Sequence, residues 1–154
     1  GKPKTNDAAP NPFAVETLIK PKHGNHPILV HFPIALFLIG FLFDVLGTKK
    51  KERTLLTVGY YNLLVAAIGS LPSIGTGLLA WQWHFGGTPL EGYLLIHLIC
   101  GIVTSALLFT LWGMRRKMQE NPESNLSTGY WILAGITALM ITVTGHLGGF
   151  LAYG

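Results

Sequence analysis

The stretch PILVHFPIALFLIGFLFDVLG, Pro27 to Gly47, decides the fold. Only His31 and Asp44 interrupt its apolar run, and at about 1.5 Å per residue a helix of this length crosses a hydrocarbon core about 30 Å thick. Three later stretches, residues 58–83, 92–113 and 129–153, repeat the pattern. The connectors between them, residues 48–57, 84–91 and 114–128, are short. Short connectors favour antiparallel neighbours, so the sequence predicts an all-α, four-helix, up-down integral membrane bundle over residues 27–154. Residues 1–26 hold Pro3, Pro10, Pro12 and Pro21 among scattered lysines without apolar periodicity. They read as an irregular tail with one short helical turn around residues 13–19, and no basic-then-apolar leader is expected.

Composition agrees with lipid as the solvent. In a chain of 154 residues, 49% are hydrophobic and 12% charged, too few charges to give four helices the polar faces a soluble bundle requires. The formal net charge of +4 would suit nucleic acid in a soluble protein. Here the basic residues cluster between apolar stretches, so they carry topology and no nucleic-acid partner is expected. Lys49, Lys50, Lys51 and Arg53 occupy the first connector and Arg115, Arg116 and Lys117 the third, seven of the eleven Lys and Arg. The positive-inside bias makes that side cytoplasmic, with both termini exoplasmic, and a bacterial inner membrane is the expected location. Tyr60, Tyr61, Trp112, Tyr130 and Trp131 fall at the cytoplasmic ends, and Trp81, Trp83, Tyr93 and Tyr153 at the other, as interfacial aromatics do. Cys100 is the single cysteine. The chain therefore has no disulfide framework, no paired-cysteine zinc motif and no Cys-x-x-Cys-His attachment for haem.

The histidines carry the functional signal. His26 and His31 open the first helix, His84 follows the second, His97 is early in the third and His146 late in the fourth. With alternating helix directions all of them, and His23, fall near the exoplasmic face. His31, His97 and His146 lie roughly 5 to 10 Å inside the apparent boundary, the others at or beyond it. His97 shares a face with Gly101, Thr104 and Ser105, and His146 with Gly135, Ala138, Thr142 and Gly149. Small residues make room for helix contacts or for something bulky, so these histidines are expected to look inward, where an imidazole needs partners for both nitrogens. Pro72 is expected to kink the second helix. Asp44, near the cytoplasmic end of the first helix, reads as snorkelling toward water or capping a neighbour.

Histidines without cysteine suit copper, zinc, non-haem iron or haem. A catalytic zinc also takes a water-filled opening and a nearby carboxylate, and Glu91 is the one exoplasmic carboxylate close by. A haem b takes two histidines on facing helices, with small residues where the macrocycle lies. His31 with His97 forms a diagonal pair in a simple ring of helices, His97 with His146 a pair better matched in depth, and His26 is a fourth candidate that makes a second haem arithmetically possible. The pairing is open at the level of sequence.

The segment His26-Pro-Ile-Leu-Val-His31-Phe-Pro-Ile-Ala-Leu, then Asp44, Thr76-Gly-Leu-Leu-Ala-Trp, His97, Thr144-Gly-His-Leu-Gly-Gly and Tyr153 resembles the family of small four-helix membrane proteins catalogued as domain of unknown function 2231. The resemblance spans about residues 24–153. It implies a histidine layout similar to membrane b-type cytochromes, carried by His26, His31, His97 and His146, and an association with redox partners. Where the family often has an acid before the tryptophan that follows the second helix's glycine, this chain has Ala80 before Trp81. The expectation is a cytochrome b-like electron-transfer subunit rather than a stand-alone enzyme. It would hold haem b on those histidines and exchange electrons with a quinone, a periplasmic cytochrome or other subunits of a membrane redox complex. A cofactor-free structural or assembly subunit, and a copper or zinc membrane protein, are the competing expectations.

Overall fold

The computed structural model describes residues 26–84, 86–121 and 125–153. The expected tail, His23 and the turn around residues 13–19 lie outside the described residues. Among the described residues four helices follow in order: α1 (His26–Lys50), α2 (Arg53–His84), α3 (Gly92–Glu120) and α4 (Thr128–Tyr153). Each is long and apolar enough to span a bilayer. The chain is an all-α, four-helix integral membrane bundle.

The helices run past the apolar stretches that predict them. α2 has 32 residues and α3 has 29, longer than a hydrocarbon core about 30 Å thick demands. The polar end of α3, Met114 to Glu120, consists of good helix formers and continues the helix past the core. Only Lys51 and Glu52 separate α1 from α2. Glu52 donates its N–H to Gly47 O at 2.9 Å, closing the end of α1 around Lys51 at φ 54. Between α2 and α3, Gly86 (φ 58) and Gly87 (φ 65) take the left-handed turn that glycine permits, and Trp81 Nε1 donates to Thr88 O at 2.9 Å.

Packing follows a seven-residue repeat in every helix. Pro33, Phe37, Gly40, Asp44 and Gly47 are the buried residues of α1, spaced four, three, four, three, and partly buried His26 and Val30 extend the series. Gly59, Leu63, Ala66, Ser70, Ser73 and Gly77 repeat it in α2, and His97, Gly101, Thr104, Leu108, Leu111 and Arg115 in α3. Tyr130, Ala134, Thr137, Ile141, Thr144 and Gly148 complete it in α4. A four-three alternation is the seam of left-handed helix packing. Apart from Phe37, Leu63, Leu108, Leu111 and a few other large side chains the seams are mostly small or polar, while Ile28, Ile132 and Leu139 on the outside are 73%, 60% and 64% exposed. That distribution is inverted relative to a soluble bundle and is what lipid-facing helices require, because packing rather than hydrophobicity joins them.

The helices form a ring in chain order, closed only sparsely between α1 and α4. The α1–α2 pair is the tightest. A Cβ on Gly40 would lie 3.1 Å from Gly59 O, and one on Gly47 2.8 Å from the Leu56 side chain. Pro33 stands inside α1 and cannot supply the N–H that Leu29 O would accept. Ser73 Oγ on α2 approaches that carbonyl at 3.4 Å. At the centre, Ser70 and Ser105 hydroxyls meet at 2.6 Å between α2 and α3, and Ser70 donates to Ala67 O.

Candidate functional site

Following the seams to the histidine end, His26 begins that of α1 and His97 that of α3. These helices lie diagonally in the ring, yet the two imidazoles meet across it, centroids 6.2 Å apart and rings nearly perpendicular at 86°. Each is held by the next helix in sequence. His97 Nδ1 is 3.1 Å from Thr144 O; a carbonyl only accepts, so Nδ1 carries the proton and donates it. His26 Nδ1 is 3.2 Å from Thr76 Oγ1. That hydroxyl has Pro72 O at 2.9 Å and Ser73 O at 3.1 Å to donate to, so it accepts from His26 Nδ1–H. In both neutral imidazoles Nε2 is thereby left as the lone-pair nitrogen.

A glycine makes room for each ring. A Cβ on Gly77 would stand 3.0 Å from His26 Cε1, and one on Gly148 2.9 Å from His97 Cε1. The two hairpins repeat one device: a histidine at the start of the first helix, then an oxygen acceptor and a glycine near the end of the second.

The other candidates are placed differently. His31 is exposed, its Nδ1 turned back on Pro27 O one turn earlier in its own helix. His146 is exposed, as are Gly135, Thr142 and Gly149, with which it shares a face. The inward orientation expected for His31, His97 and His146 holds only for His97. The reason is the seam: His31 is one position past Val30, and His146 lies between Thr144 and Gly148, so at 100° per residue both rotate away from the bundle. The side chain of His84 lies outside the described residues. Among the described residues no group of three or more His, Cys, Asp or Glu comes together.

A second buried cluster occupies the opposite end, and sequence reasoning missed it. Asp44 does not snorkel toward water. It is fully buried, with Oδ1 3.1 Å from Arg115 Nη2, and Oδ2 accepts the Tyr130 hydroxyl. Arg115 is 2% exposed and donates from Nη2 to Leu56 O at 2.5 Å. Gly59 leaves the space for the carboxylate, since its Cβ would collide with Asp44. Arg115 reads in sequence as a topology-setting cation in a connector and Tyr130 as an interfacial ring. Their positions on the seams of α3 and α4, seven residues beyond Leu108 and four before Ala134, are the signal that would have found them. A charge inside a membrane protein is tolerated where its counter-charge faces it, and the seams bring these together.

A sequence profile of the family described as "Predicted membrane protein (DUF2231)" matches residues 22–154. No curated protein and no solved structure matches the chain.

Proposed function

For this chain, which belongs to the DUF2231 family of predicted membrane proteins, we propose the role of a b-type cytochrome-like electron-transfer subunit, with a haem b iron held between His26 and His97. The observation that carries the proposal is the paired commitment of Nδ1 to oxygen acceptors, which presents two Nε2 lone pairs at one level of the bundle. Metal-bound imidazoles depend on such a bond from the other ring nitrogen, which fixes the tautomer and raises the basicity of the ligating one. The two rings stand 6.2 Å apart, centroid to centroid, and His26 and His97 are the residues that would hold the group.

Bound there, haem would supply a one-electron redox centre, held by His26 and His97. The chain's residues fix the potential and the position. Thr76 and Thr144 orient the rings, and Gly77 and Gly148 make room for them. His31 and His146 are outside this ligand set because their side chains are exposed. The basic connectors support a cytoplasmic charged end and an exoplasmic histidine end, in a bacterial inner membrane, with exchange toward a periplasmic cytochrome or a quinone within a larger complex. A cofactor-free structural subunit is the second reading, favoured by seams whose polar groups, such as Ser70 with Ser105, already satisfy one another.

Absorption spectra of the purified chain, oxidised and reduced, test the proposal. Soret and reduced α-bands are expected in the wild type, lost in His26→Ala and His97→Ala and kept in His31→Ala and His146→Ala. No Soret band, even after incubation with hemin, favours the structural reading, and stoichiometric copper or zinc in elemental analysis a metal protein of another kind.

A further inference from the structure

At the charged end, the close of α1, the start of α2, the end of α3 and the segment before α4 border an open cavity of about 200 Å³. Lys51, Arg53 and Arg115 line it, joined by Thr48, Gln119 and Asn125. Among the described residues no carboxylate lines it; Asp44 reaches the site only through Arg115.

Two details set this cavity apart from a solvated basic turn. Arg115 is 2% exposed, and although Nη2 is engaged by Leu56 O and Asp44, its buried Nε–H has no acceptor. A buried guanidinium donor without a partner is costly, and the same guanidinium group belongs to a residue of the cavity wall. Lys51 adopts φ 54, the left-handed conformation that normally selects glycine at a helix C-terminus. A lysine there bears a conformational cost and sets a cation on the wall.

We propose that this cavity is a phosphate site, occupied by the headgroup of an acidic phospholipid. Guanidinium forks and an ammonium group match phosphate oxygens, and the hydroxyl and amide groups add neutral donors. The cavity lies at the turn between two membrane spans, at the level where headgroups are found, and basic pockets between transmembrane helices suit anionic lipid headgroups. Its volume, below the about 300–1,000 Å³ of sites for drug-sized ligands, argues against a nucleotide or organic cofactor.

The test uses the full chain in nanodiscs of phosphatidylcholine with and without phosphatidylglycerol, reading lipid retained in native mass spectrometry and the midpoint of thermal unfolding. In the wild type, phosphatidylglycerol is expected to be retained at least threefold over phosphatidylcholine and to raise the midpoint by several degrees. The double variant Lys51→Gly/Arg53→Gln should lose both effects while still unfolding cooperatively, because glycine fits the left-handed turn. Arg116→Gln/Lys117→Gln removes the same charge outside the cavity and should keep both effects. Equal retention in the wild type and the cavity variant, or equal loss in the two double variants, would overturn the proposal. Equal protection of the wild type by millimolar inorganic phosphate in neutral detergent, abolished by the cavity variant, would reassign the site to a free phosphate anion.

Discussion

Asp44 shows how much one residue depends on what faces it. Its carboxylate is buried opposite Arg115 and beneath the Tyr130 hydroxyl, so removing one charge leaves the other stranded. Arg115→Met alone is expected to destabilise by about 3–5 kcal/mol, while Asp44→Asn/Arg115→Met recovers most of that loss. Thermal unfolding of the four members of this cycle in one detergent checks the coupling; additive losses would mean that the pair does not act as a unit. Tyr130→Phe removes one donor from Asp44 and should cost about 1–3 kcal/mol. At the histidine end, Gly77→Ala and Gly148→Ala place a methyl group about 3 Å from a ring carbon. If His26 and His97 are haem ligands, both variants should shift the reduced α-band or the midpoint potential without abolishing haem binding, and an unchanged spectrum would detach the glycines from the site. Which histidines turn inward is half legible in sequence. The small-residue stripe beside His97 faces the bundle, the one beside His146 faces outward, and His26, a fourth candidate by depth, turns inward while His31 is exposed.

Between elements, the glycines on the seams and those off them should behave oppositely. A Cβ on Gly59 would collide with Asp44 and lie 3.0 Å from Gly40 O, so Gly59→Ala must push α1 from α2. A loss of about 1–3 kcal/mol is expected, as for other overpacked sites. Gly135 meets nothing within 4 Å. Gly135→Ala should be neutral or stabilise by up to about 1 kcal/mol, since a mid-helix glycine is a poor helix former. Unfolding midpoints of the two variants settle the contrast, and comparable losses would contradict the seam assignment. Helix number and connector order were readable because apolar length is a one-dimensional property. The seams were harder to read, because in lipid both faces of a helix are apolar and the amphipathic signal nearly vanishes. What distinguishes the inner face is a run of small and polar residues, and two such stripes can be drawn on α4. The choice between them rests on Tyr130 and Thr144 facing partners on other helices.

For the whole molecule, polarity is arranged along the bundle axis: imidazoles at one end, an ion pair beside a basic cavity at the other, and Ser70 with Ser105 between them. The positive-inside bias of the basic connectors predicts its orientation. In a Cys100→Ser background, an impermeant maleimide added to spheroplasts should label Glu91→Cys and leave Lys50→Cys unlabelled until lysis. The reverse pattern would invert the orientation and place the histidine pair on the cytoplasmic side.

The sequence alone determined that four helices cross a membrane, because burying the backbone in hydrocarbon leaves no other arrangement for four long apolar runs. It also determined that the histidines gather at one end and most cations at the other, because direction alternates with every span. The tertiary structure decided which side chains meet. His26 finds His97, and Asp44 finds Arg115 and Tyr130, because the rotation of each helix is fixed by close packing against its neighbours. That packing depends on partners far apart in the chain, which no single apolar stretch encodes.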